Sequence, residues 1–127
     1  MIAVDTSALI AIALGEADAV RCMNALEAAD ELLISAGTVA EALIVARRRN
    51  VGAEVASLID GLGFRIVSLT PLGGRQVAQA YDRWGKGVHA AGLNLGDCFA
   101  YALALEHDCP LLFVGNDFSK TDLQAAT

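Results

Sequence analysis

A chain of 127 residues, 55% of them hydrophobic and only two of them proline, is long enough for one domain with its own core and too apolar to stay disordered. Its formal net charge of −6 is the wrong sign for a general phosphate-binding surface. No apolar run approaches the roughly 18 residues of a membrane span, the N-terminal run lacks a basic flank, and Cys22, Cys98 and Cys109 have no metal-ligand spacing, so a cytoplasmic, reduced protein with no membrane partner is expected.

The chain opens "MIAVDTSALIAIAL", in which Ile2–Asp5 reads as a short buried strand and Ala8–Leu14 as a buried helix. A second helix is predicted over Ala17–Ala29, followed by a strand at Leu32–Ser35. Thr38 with Glu41 matches a capping box at the head of a helix over Val39–Arg49. A helix over Ala53–Leu62 is closed by Gly63, and a strand follows at Arg65–Leu69. Thr70-Pro71 then sets proline at the first position of a helix running from Leu72 to Trp84. The segment "GKGVHAAGLN", Gly85–Asn94, is a loop; Asp97–His107 is helical and Leu111–Val114 is the last strand. Short apolar strands alternating with helices predict an α/β/α sandwich around a mostly parallel sheet, buried on both faces, as a single unit over residues 1–127.

Four acids stand where this architecture puts ligands. An open parallel sheet binds beyond the carboxyl ends of its strands. Asp5 ends the first strand, Asp117 follows the last in "LLFVGNDF", Glu41 lies in the first turn of the helix after the second strand, and Asp97 opens the helix after the Gly-rich loop. Each has an ordinary alternative: a capping box for Glu41, dipole complementation for Asp97, a turn role for Asp117. Asp5 is hardest to dismiss, because an aspartate inside a core costs several kcal/mol unless its charge is satisfied. Together the four cannot all stay ionised without a counter-charge. With oxygen ligands and no clustered Cys or His, Mg²⁺ or Mn²⁺ is the expected cofactor. Such a site suits metal-assisted phosphodiester hydrolysis.

These residues resemble the PIN-domain ribonucleases, and within them the VapC-type toxins of toxin–antitoxin pairs. The matching stretches are "MIAVDTSALIAI", "AGTVAEAL" around Glu41, "AAGLNLGDCFAYALA" around Asp97 and "LLFVGNDFSKTDL", in the family's order across nearly the whole chain. The resemblance implies a Mg²⁺-dependent endoribonuclease (Mn²⁺ a possible substitute) restrained by a VapB-type antitoxin. It implies Asp5 and Asp97 as metal ligands, and Glu41 and Asp117 as the rest of the catalytic acids. Thr6 or Ser7 would orient the first carboxylate, and Asn116 stands where many relatives carry a further acid. The implied reaction is in-line attack by metal-activated water, leaving a 5′-phosphate and a 3′-hydroxyl. His89 and His107, the only histidines, are not spaced as an acid–base pair.

Two basic groups are candidates for holding RNA (tRNA, rRNA or mRNA). Arg47 and Arg48, with Arg49, end the third helix, where they either complement its C-terminus or meet phosphate. Arg83, Trp84, Lys86 and His89 set one aromatic among cations, as single-stranded RNA binders do, unless Trp84 packs beneath the loop. Apolar residues of the first two helices (Leu9, Ile10, Ile12, Leu14, Val20, Met23, Leu26) exceed what a small sheet buries, which points to a homodimer contact or an antitoxin groove. The competing reading is a catalytically inactive PIN-like module that binds RNA or protein. A phospho-receiver domain is disfavoured, since it needs paired acids after the first strand and a lysine after a late one, and Asp5-Thr6-Ser7 does not supply that pair.

Overall fold

Strands apolar at every position, rather than at alternate ones, need cover on both faces. The computed structural model, which describes residues 1–127, supplies it. In chain order the elements are β1 (Ile2–Val4), α1 (Thr6–Leu14), α2 (Ala19–Ala28), β2 (Leu32–Ser35), α3 (Ala36–Arg48), α4 (Gly52–Gly61), β3 (Arg65–Val67), α5 (Pro71–Trp84), α6 (Leu95–Glu106), β4 (Leu111–Leu112) and a 3₁₀ turn at Phe118–Lys120. All strand pairs are parallel, in the order β3-β2-β1-β4.

Side-chain alternation divides the core into two layers. Ala3, Leu33 and Leu111 point to one side, where they pack with Val77, Ala80 and Trp84 of α5 and with the apolar residues of α6. Val4, Leu32, Ile34 and Leu112 point to the other, against Leu9 and Ile10 of α1, Cys22 of α2, Ala42 and Ala46 of α3, and Val55 and Ile59 of α4. The sandwich is therefore α/β/α. Strand order reverses between β1 and β4, and that switch point is where such a sheet leaves a crevice for a ligand.

Three expectations are corrected. β3 is an edge strand and is not buried on both faces; Ile66 is 51% exposed. Glu41 does not complete a capping box with Thr38: Ser35 caps α3 by accepting from the Gly37 N–H at 3.2 Å, so the helix begins three residues earlier. Thr38 is then a buried interior residue, and Glu41 lies in the second turn. The apolar excess of α1 and α2 is also smaller than expected. Leu9, Ile10 and Leu26 are buried and Ile12, Leu14 and Met23 are packed against the core, leaving Val20 exposed. Thr70 does cap α5 with Pro71 following, Gly63 takes a positive φ of 76° past the end of α4, and the three cysteines are free and buried. No helix is long and apolar enough to cross a membrane.

Candidate active site

At the carboxyl end of β1 the chain must turn into α1, and the turn residue is Asp5. Its Oδ2 caps α1, accepting from the Ser7 N–H at 3.0 Å and the Ser7 hydroxyl at 2.6 Å. The Ser7 Oγ in turn accepts from the Val114 N–H at 3.0 Å, which ties Asp5 to the chain leaving β4. The other oxygen, Oδ1, is buried and has no partner in the protein. Thr6, also buried, donates its hydroxyl to Glu41 Oε1 at 2.6 Å, joining α1 to α3.

Asp97 arrives from the opposite layer. Asn94 caps α6 by accepting from the Asp97 N–H at 2.8 Å, while Asp97 Oδ2 accepts from the Asn94 N–H at 3.0 Å. The capping box of this protein is thus Asn94–Asp97. Gly96, next to it, lies flush against the Glu41 carboxylate: a Cβ there would overlap it. α3 and α6 meet this closely again where the Phe99 ring covers Gly37.

Asp5, Glu41 and Asp97 line one open cavity of about 300 Å³, together with Thr6, Ser7, Asn94, Glu16 and Arg49. Burial raises the Asp5 pKa to about 7, against the two Ser7 hydrogen bonds, and the charges of Asp97 and Glu41 add to the rise. Burial likewise lifts Asp97 to about 6, with Asp117 and Glu41 adding to it. Asp117 therefore lies within electrostatic reach. It is exposed at the head of the 3₁₀ turn and does not line the cavity, nor does Asn116, whose carbonyl accepts from the Ser119 hydroxyl.

These shifts set a sign for pH dependence. Both folded pKa values stand above the ordinary 3.8, so the stability these groups contribute is complete below about pH 4 and lost as pH rises through 6 to 7. In EDTA, the midpoint of thermal unfolding is expected to fall by roughly 10 °C between pH 5 and pH 8. Addition of MgCl₂ at pH 8 should recover most of that loss. A midpoint that rises with pH in EDTA would contradict the assignment.

A divalent cation fits the residues present. The donors are all carboxylate and hydroxyl oxygens, the chemistry Mg²⁺ and Mn²⁺ prefer, and Asp5 Oδ1 is a buried acceptor lacking a donor. No three acidic, His or Cys side chains stand close enough together to hold an ion between them as a group, so the fit rests on one or two carboxylates with waters completing the shell, which is how Mg²⁺ is commonly bound.

The basic candidates are more dispersed. Trp84 is buried, donates its indole N–H to the Tyr101 hydroxyl at 2.9 Å and meets the His89 ring edge-on, so it packs beneath the loop and has no open face for a base. Arg83 stacks over Trp84 and pairs with Asp122 at 3.7 Å, and Tyr101 donates to Asp122 at 2.7 Å. His89 accepts from the Ala91 N–H and holds the loop's own turn. Lys86 lines a neighbouring groove that shares Asn94 with the cavity. Arg47 and Arg48 are exposed and do not line the cavity; Arg49 does. The residues the sequence reading passed over are Glu16, Asn94 and Gly96. Asn94 and Gly96 were readable in "NLGD", where a cap residue and a close-approach glycine bracket the acid.

A family model described as the PIN domain matches residues 2–123. Ribonuclease VapC42 of Mycobacterium tuberculosis is 39% identical over 127 residues, covering 97% of each chain. Ribonuclease VapC36 of the same organism is 42% identical over 126 residues, covering 95% of this chain and 90% of its own. The crystal structure of Mycobacterium tuberculosis VapC20, a sarcin–ricin loop cleaving toxin, superimposes with a TM-score of 0.79 at 17% identity, over 97% of this chain and 96% of that one. A toxin–antitoxin complex from Klebsiella pneumoniae gives a TM-score of 0.71 at 20% identity, over 96% and 93%. At those identities the two solved structures speak for the fold alone.

Proposed function

The chain belongs to the PIN-domain family, among the VapC ribonucleases, and from that premise we propose that it is the toxin of a toxin–antitoxin pair, an endoribonuclease working with a divalent cation held by Asp5 and Asp97. The observation that carries the metal-dependent reading is the buried, partnerless Oδ1 of Asp5, a residue that lines one cavity with Glu41 and Asp97. When bound, Mg²⁺ or Mn²⁺ supplies polarisation of the phosphate and a water acidic enough to attack at neutral pH. Ser7 fixes the orientation of Asp5, and Thr6 holds Glu41 toward the same cavity. Asp117 adds negative charge at the rim. Hydrolysis by water needs no participation of the RNA 2′-hydroxyl.

The proposed antitoxin follows from charge: a VapB-type partner would restrain the enzyme by presenting a basic side chain to the acids. The homodimer rests on membership of the VapC ribonucleases alone. The Klebsiella neighbour is itself a toxin–antitoxin complex. The test is incubation of partner-free protein with total tRNA and rRNA. Cleavage is expected in MgCl₂ or MnCl₂ and is expected to vanish in excess EDTA; cleavage that persists in EDTA would overturn the metal-dependent reading.

A further inference from the structure

Arg47 and Arg48 end α3 and Arg49 caps it, yet only Arg49 reaches the site. Glu41, Val45 and Arg49 recur at four-residue steps along one ridge, and all three line the cavity. Arg49 is still held to that ridge, since its N–H donates to the Val45 carbonyl at 3.1 Å. Asn50, at a φ of 61°, then turns the chain away, and the Val51 N–H closes back on the Ala46 carbonyl. Arg49 is the only basic residue lining the cavity. Its guanidinium takes part in none of the chain's four ion pairs, although acids line the same space.

We propose that Arg49 is a phosphate subsite for the RNA strand, holding a backbone phosphate that flanks the bond being cut. This rests on the nuclease reading above and extends it to how the strand is held. An RNA phosphate approaching Asp5, Glu41 and Asp97 meets like charge, and a guanidinium at the cavity margin is the side chain that attracts it. Arg49 stands eight residues from Glu41, about 12 Å along the helix axis, which sets its backbone at the margin of the cavity, where a phosphate flanking the reacting one would lie. A guanidinium suits the task because its planar fork takes two phosphate oxygens at once. The rival role is internal, with Arg49 merely offsetting the acids of the metal-free protein.

The test compares wild type with Arg49→Ala, Arg49→Lys and Arg65→Ala. Arg65 is a charge-matched control because it pairs with Glu31 at the opposite edge of the sheet. Binding of a short labelled single-stranded RNA of mixed sequence is followed by anisotropy in CaCl₂ over a range of KCl, and its cleavage is followed in MgCl₂. Arg49→Ala is expected to weaken binding roughly tenfold and to reduce the slope of log affinity against log salt by about 0.7, the loss of one single-strand phosphate contact. KM should rise with kcat unchanged. Arg49→Lys should keep the slope while losing part of the affinity, and Arg65→Ala should match wild type. Unchanged slope and affinity in Arg49→Ala would overturn the subsite, as would tighter Mn²⁺ binding with RNA binding unaltered, the signature of the internal role. Wild type that cleaves neither this RNA nor total tRNA and rRNA would overturn the nuclease reading itself; wild type that cleaves beside an unaltered Arg49→Ala confines the failure to this subsite.

Discussion

Asp5→Asn should reduce RNA cleavage on the order of 10³-fold or more while raising the unfolding midpoint of the metal-free protein at pH 8. The two effects have one cause. Asp5 is 3% exposed, and at pH 8 its carboxylate is ionised against the cost of burial and against Asp97 and Glu41. An amide has the same shape and no charge. Its oxygen can take over the two Ser7 hydrogen bonds, and its nitrogen fills the place of the partnerless Oδ1. The fold therefore gains what the site loses. Thermal unfolding in EDTA at pH 8, run beside the cleavage assay, checks both halves. Retained activity would remove Asp5 from the machinery. Lost activity with a lowered midpoint would show a damaged fold rather than a missing ligand.

Gly96→Ala should cost about two orders of magnitude in kcat and only about 1 kcal/mol of stability, the group displaced being the tip of the Glu41 side chain. The added Cβ falls on the Glu41 carboxylate, which is itself held by the Thr6 hydroxyl. Either Glu41 gives up Thr6, or α6 backs away from α3 and carries Asp97 with it. Both outcomes pull the acids apart, and displacements of about 1 Å at a reacting site cost rate on this scale. Glu41→Ala in the same chain removes the overlapping group, so the double variant should regain stability but not activity. The double-mutant cycle measures that coupling directly. A Gly96→Ala protein with wild-type kcat would mean that the contact between α3 and α6 has no part in placing the acids.

Much of this was readable before the structure. Asp5 declared itself because a charge inside "MIAVDTSALIAI" must be satisfied, and strands apolar at every position demanded a two-layered cover. What spacing does not carry is which face a helix turns. Glu41 stands three residues after Thr38 and so imitates a capping box, but Ser35 caps first, and the shift in helix start aims Glu41 across to Thr6. Trp84 among Arg83, Lys86 and His89 has the composition of a base-stacking site. Its N–H is instead taken by Tyr101, a partner seventeen residues on that no local pattern predicts. Arg47, Arg48 and Arg49 are equivalent as letters; only their positions around and at the end of α3 separate the one that lines the cavity. Asp117 marks the intermediate case: it lies near enough to bear on Asp97, yet stands outside the cavity wall.

Carboxylates from the β1–α1 turn, α3 and α6 share one pocket, and under the proposed function divalent cations let them coexist. Calorimetric titration of Mn²⁺ or Mg²⁺ into the metal-free protein addresses it without reference to any RNA. Saturable uptake by wild type that disappears in both Asp5→Asn and Asp97→Asn is the result expected. No uptake by wild type, or equal uptake by the Asp5→Asn protein, would contradict it.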